Sequence, residues 1–323
     1  MTKKAIVWLI IGGSLVLVGA IIFVGVVAML NWDFKNFSTV KYLTNEYDIT
    51  EEYKSILIES DTADVVLVAS DDEKSTVSCY EQSKLKHSVS VVDGVLTIKL
   101  VDTRKWYEYI GIGFESSKIK VVLPAGEYSS LCVKEHTGKV EIANGLFFEN
   151  MDIIATTGDV ENYASASGIM KIKTSTGYIT LHDVSAGTLE LSVSTGNINA
   201  SNINCNGGIK ADVSTGKINL SNVKCENLMS EGNTGDVYLK NVVASGKFDI
   251  ERSTGDVKFE GSDAAEIFVD TDTGDVTGTL LSEKVFVVKT DTGKINVPNS
   301  ITGGRCEIET DTGDVKIDIT SAK

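Results

Sequence analysis

The dipeptide Thr-Gly recurs with a period that most constrains the fold of this chain. It stands at Thr137-Gly138, Thr157-Gly158, Thr176-Gly177, Thr195-Gly196, Thr215-Gly216, Thr234-Gly235, Thr254-Gly255, Thr273-Gly274, Thr292-Gly293 and Thr312-Gly313, at intervals of 19 or 20 residues. Fixed periods of this length mark stacked repeat architectures. Two residues after each glycine the side chain is β-branched: Val140, Val160, Ile179, Ile198, Ile218, Val237, Val257, Val276, Ile295 and Val315. Seven residues before it the residue is apolar, from Leu131 and Met151 through Phe286 to Cys306, and five before it is mostly aliphatic. Polar residues such as Lys171, Lys173, Glu190 and Asp249 fill the gaps. Alternation on both sides of a turn gives two strands per repeat, each with one buried face. The reading is an all-β chain: a β-solenoid of stacked coils, two strands to each. Antiparallel hairpins would need tight primed turns at both corners, and the second corner carries no regular signal for them.

The corner explains its own residues. Glycine accepts a left-handed backbone without a Cβ penalty, and the threonine hydroxyl is expected to close the turn on local backbone. Four apolar positions per coil give a gross burial of roughly 6–12 kcal/mol. That is set against the ordering of a whole coil, so one coil cannot stand alone.

The rest of the chain divides around this stack. Residues 5–30 run 26 positions without a charge, longer than the roughly 30 Å hydrocarbon core demands. Lys3 and Lys4 precede the run and Asp33 follows it, which predicts a single-pass helix with residues 1–4 in the cytosol and Lys323 outside. A cleaved signal peptide is the competing reading, with an unusually long apolar region and no clean cleavage site. Residues 31–50 read as a polar tether and 127–323 as the solenoid proper. Between them, 51–126 read as a first coil, in which Ala63 replaces the glycine, plus a β-insertion over 71–117 that caps the open end. Asp93-Gly94 between Ser88–Val92 and Val95–Leu100 is a hairpin signal within that insertion.

Composition excludes several functions. A net charge of −15, or −17 once Lys3 and Lys4 are set aside, opposes nucleic acid and anionic lipid surfaces. Only three histidines (His87, His136, His182) and three arginines (Arg104, Arg252, Arg305) are present, and no nucleophile elbow, zincin or phosphate-loop motif occurs. No cofactor is implied. Five cysteines without paired spacing, at 79, 132, 205, 225 and 306, oppose a zinc site or a disulfide framework. Cys205 and Cys225 share a repeat column with Ala186, Ala244 and Ala264, so they read as small buried residues. One corner is acidic: Asp272, Asp291 and Asp311 lie two residues before their glycines, and Asp275 and Asp314 follow theirs, with Lys294 between these two along the sequence. Repeated carboxylates are a candidate Ca²⁺ site, against the simpler reading of a solvated turn edge.

The opening around Thr62–Val65, the strand ending in Leu123-Pro124 and the serial Thr-Gly repeats resemble the bacterial "putative adhesin" family, a domain of unknown function built of β-strand repeats. The resemblance covers about residues 50–323. It implies a non-enzymatic cell-surface protein that presents a rigid solenoid outside the membrane to a cell-wall polymer or surface protein. An envelope-stress or antimicrobial-peptide-response regulator acting through membrane partners is the alternative. A polysaccharide-acting β-helix enzyme is a remote one.

Overall fold

The computed structural model describes residues 2–29, 31–32, 40–70, 72–110 and 115–320. Met1, Leu30, positions 33–39 of the expected tether, Asp71 and 111–114 of the expected insertion, and Lys323 lie outside the described residues. A single helix, Lys3–Met29, is long and apolar enough to cross a membrane, and it stays almost wholly uncovered by the rest of the chain. Everything after it is strand and turn.

Each repeat forms one coil with two strands, for example Ile179–Ala186 and Thr188–Thr195. Neighbouring coils pair in parallel and in register: Leu131, Met151, Met170, Leu189, Ile209 and Leu228 lie side by side. The β-branched column from Val140 to Val257 pairs in the same way on the other sheet. Both columns are buried, as are Ile153, Ile172 and Leu191 between them. This in-register parallel pairing is that of a solenoid, not of serial hairpins. The cysteine column also holds, since Cys205 pairs with Ala186 and Cys225 with Ala244. All five cysteines are free.

The last two coils are stacked out of sequence order. Gly304–Thr312 pairs with Val257–Thr273 on one side and with Lys284–Thr292 on the other. The strand Val315–Ile319 likewise lies between Val276–Leu280 and Ile295–Asn296. The final coil of the sequence is therefore inserted beneath the penultimate one, and 284–296 ends the stack. A seven-residue link from Val297 to Gly303 carries the chain back inward. One consequence corrects the sequence reading: Lys294 does not separate Asp275 from Asp314. Asp314 N–H donates to Asp275 Oδ1 at 2.7 Å, and Lys294 sits outside both.

At the other end, Ser55–Ser60 and Ala63–Ser70 form the first coil, with Ala63 stacked against Gly138. The insertion caps it as expected. Leu85–Val92 and Val95–Asp102 are an antiparallel hairpin turning at Asp93 and Gly94, both with positive φ, and Ser75–Gln82 pairs antiparallel with Ser117–Pro124. The tether is shorter than its expected span, because Tyr42–Ile49 forms a strand antiparallel to Ser75–Gln82. Tyr47 and Ile49 pack against the core from it, which holds this polar stretch in place.

A column missed in the sequence bends the second strand of four coils. Asp183, Asn202, Asn222 and Asn241 all have φ between 52° and 57°, and Gly261 follows them at 59°. Each lies six residues after its repeat glycine. The left-handed residue shifts the alternation by one: Ile198 and Ala200 are buried before it, Ile203 and Cys205 after it. Asn and Asp tolerate this conformation, and the column explains its own composition.

Candidate functional site

The Thr-Gly corner is held by backbone. The glycine N–H donates to the carbonyl of the corner threonine in the next coil, as in Gly158 to Thr176 at 2.9 Å and Gly216 to Thr234 at 2.8 Å. The ten threonines themselves are exposed, and their hydroxyls do not close the turn, contrary to expectation. That part falls to threonines three residues before the glycine. Thr174, Thr271, Thr290 and Thr310 donate to glycine carbonyls of neighbouring coils at 3.0–3.4 Å. Crowding fixes the glycine more than backbone angle does. A Cβ at any of the ten positions would lie 1.8–2.3 Å from a carbonyl oxygen of the adjacent coil, whereas φ is in the left-handed range at only six.

The acids of this corner use their oxygens in the same ladder. Asp236, Asp256, Asp275 and Asp314 each accept the N–H of the residue one coil further on, at 2.7–3.2 Å. Asp64, Asp159 and Asn197 do the same. This hydrogen bonding accounts for Asp and Asn after the glycine. Asp272, Asp311 and Asp291, in that spatial order, are exposed. Asp270 lies against Asp272, Asp311 and Glu309, and its carboxyl is raised above the usual range by partial burial and then by these neighbours.

A second ladder runs along the bent strands. Asn202, Asn222 and Asn241 each donate Nδ2 to the preceding member of their column at 2.8–3.0 Å. Beside them runs an open groove of about 720 Å³, lined also by Asn204, Lys224 and Val243. An amide carries two N–H donors, so each asparagine keeps one beyond the ladder.

The cap holds a buried polar cluster that sequence reasoning did not find. Glu81 accepts from Asn45 Nδ2 at 2.5 Å, from His87 N–H at 2.6 Å and lies 2.7 Å from His87 Nδ1, while His87 Nε2 meets the Ser60 hydroxyl at 3.1 Å. Cys79 joins them, its sulfur within 4.8 Å of the Glu81 and His87 ligand atoms. The residues come from four strands with no periodic relation, so no spacing betrays them. Sulfur, nitrogen and carboxylate form a donor set of the kind zinc takes. Here, however, the carboxylate is saturated by hydrogen bonds, and burial pushes the Cys79 thiol up to about 12. Ser60, His87 and Glu81 also align in the order of a hydrolase triad, but Ser60 is only 5% exposed and closed to a substrate. The cluster pins the cap to the first coil. Beside it, burial pushes the Glu135 carboxyl up to about 7 against hydrogen bonds from Ser60, Thr137 and Ala63.

A solved structure of a "putative adhesin" from Parabacteroides merdae ATCC 43184 superposes with a TM-score of 0.50 at 13% identity, over 75% of this chain and 97% of that one. Another "putative adhesin", from Bacteroides fragilis NCTC 9343, gives 0.49 at 18% identity over 74% and 97%. A "putative lipid binding protein" from Parabacteroides distasonis ATCC 8503 gives 0.49 at 16% over 73% and 96%. No curated protein matches the chain. The family model of Toastrack DUF4097 matches residues 53–162, 145–224 and 210–323, and with these three segments running through the whole solenoid the chain belongs to that family.

Proposed function

We propose that this chain is a membrane-anchored surface interaction protein, without catalytic activity, that holds a rigid repeat body outside the cell and binds an extended partner along it. The helix Lys3–Met29 is the anchor, with the N-terminus inside and the solenoid outside. The observation that carries the reading is the open groove beside Asn202, Asn222 and Asn241, which presents the same amide on successive coils. Coils stack about 4.8 Å apart, so the donors recur at a fixed spacing that suits a linear polymer with a repeating pattern of acceptors. A neutral cell-wall polysaccharide has that chemistry. The body's acidity opposes an anionic one.

Binding of the membrane-reconstituted chain to purified wall polysaccharide tests this. The variant Asn202→Gly/Asn222→Gly/Asn241→Gly keeps the left-handed backbone, as Gly261 does in the same column, and removes the amides. Retention of the polymer by wild type and its loss in the variant is the expected result. Equal retention by both, or none by wild type, overturns the assignment of the groove.

A further inference from the structure

The cap carries an exposed aromatic cluster that the fold does not use. Between strands Val95–Asp102 and Ser117–Pro124 lies a short 3₁₀ turn, Trp106–Ile110. Trp106 is 79% exposed, Tyr107 51% and Tyr109 57%. These side chains are presented by a built turn. Arg104 donates from Nε and Nη2 to Asp102 at 2.9 and 2.7 Å and lies 4.4 Å over the Tyr109 ring, whose hydroxyl also donates to Asp102. Lys84 is bonded to Glu108, and Trp106 meets Tyr107 edge-on at 5.8 Å.

The position of the turn identifies what faces it. Lys84 carbonyl accepts Thr103 N–H at 3.0 Å, and the adjacent Ser83 N–H donates to Lys41 carbonyl at 2.9 Å. The turn therefore sits beside the point where the chain enters the body from the helix. From Trp32 to Val40 is eight residues, which span at most about 30 Å. The local charge also differs from that of the body: from Lys84 to Tyr109 there are five basic and three acidic residues, against seven and fifteen from Glu251 to Thr320.

We infer that Trp106, Tyr107 and Tyr109 rest in the lipid interface of the membrane that the helix crosses, so that the cap lies on the bilayer and the acidic end points away from it. This rests on the anchor reading above. Indole and phenol rings favour the interfacial layer, with the ring in apolar surroundings and the polar atom hydrated. Arg104 and Lys105 flank the rings where headgroup phosphates lie.

The test uses the full chain in phosphatidylcholine nanodiscs, as the variant Trp8→Phe/Trp32→Phe, in which Trp106 is the only tryptophan. Emission shifted to the blue, reduced roughly twofold by lipids brominated near the headgroup and protected from iodide, is the expected result for an interfacial ring. Emission that ignores bromolipid and is quenched by iodide overturns the inference, and leaves the turn to a protein partner. A chain released from the bilayer by alkaline wash breaks the anchor reading first, so the two failures are told apart. Circular dichroism of the variant against wild type confirms that the body is folded in every arm.

Discussion

At the end of the stack that the helix leads into, strands Tyr42–Ile49, Ser75–Gln82, Leu85–Val92 and Val95–Asp102 fold over the first coil, and Ile56, Ile58, Leu96 and Ile98 beneath them are at most 1% exposed. At the far end nothing covers the coil 284–296, whose Val285, Val287 and Ile295 are 38–48% exposed and whose Phe286 and Val288 are only partly buried. The capped end breaks the repeat to gain antiparallel pairing and a polar cluster. The bare end keeps the repeat and places Lys289 and Lys294 over the acid columns of Glu309 and Asp314. Charged side chains on an edge strand discourage further pairing. One end is closed by structure, the other by charge.

The largest contrast should come from the corner glycines. Gly216 has φ +136°, and a Cβ there would lie 1.8 Å from Gly196 carbonyl, with coils on both sides. Gly293 is in the outermost coil, where a neighbour lies on one side only and the left-handed range is not used. Gly216→Ala is expected to cost roughly 4 kcal/mol or more, and Gly293→Ala clearly less. Urea melts of both variants measure it. Equal losses would mean that the outer coil is as rigid as the middle.

Next come the buried polar partners. His87→Ala leaves Glu81, fully buried, without its imidazole, at an expected cost of about 3 kcal/mol. In the outer coil Lys284, 2% exposed, lies 2.7 Å from Asp263, whose side chain reaches solvent at 14%. Water can relieve Asp263 when the lysine is lost, so Lys284→Ala should cost about 1–2 kcal/mol. A reversed order in urea melts would break the distinction between the two ends.

The cap should also answer to pH. Glu135 has its folded value raised from 4.5 to about 7, chiefly by burial. A raised carboxyl binds its proton more tightly when folded. Its contribution is therefore fully present below about 4.5 and lost as pH rises through about 7. The shift is worth about 3 kcal/mol at most. Wild type should lose stability relative to Glu135→Gln between pH 5 and pH 8 by an amount of that order. Parallel pH profiles would remove Glu135 from the account.

How much of this was legible depends on what repeats. The coils, their buried columns and the alanine at position 63 follow from a period that sequence displays directly. The order of the last two coils does not. Their corners read Asp-Thr-Gly-Lys and Asp-Thr-Gly-Asp, so either fits on the coil of Val257–Thr273, and periodicity counts coils without ranking them. The bending column from Asp183 to Gly261 was readable at the same spacing, but its residues look like ordinary turn polars until the shift in burial phase is seen. The Glu81–His87–Ser60 cluster was not readable, because each member comes from a different part of a non-repeating cap. The Asn groove inherits this pattern: its side chains are periodic, yet the open space beside them belongs to the bend.

The smallest expected effect concerns the acid columns of the bare end. Asp270 is raised by burial first and then by Glu309, Asp272 and Asp311, so its contribution is lost as pH rises through its folded value. Repulsion of this kind is relieved by protons, by salt or by a bound cation. The corner acids Asp275 and Asp314 each already spend Oδ1 on a backbone N–H, and a calcium shell needs six to eight oxygens. Screening is therefore expected to account for the relief. Sodium chloride should raise the stability of wild type by less than about 1 kcal/mol, and Asp272→Asn/Asp311→Asn should remove most of that gain. Thermal melts at matched ionic strength, with calcium against chelator, separate the two sources. A gain that saturates with calcium and vanishes in the variant would place a cation at Asp272, Asp311 and Asp291, and the bare end would then be closed by a metal ladder rather than by lysines.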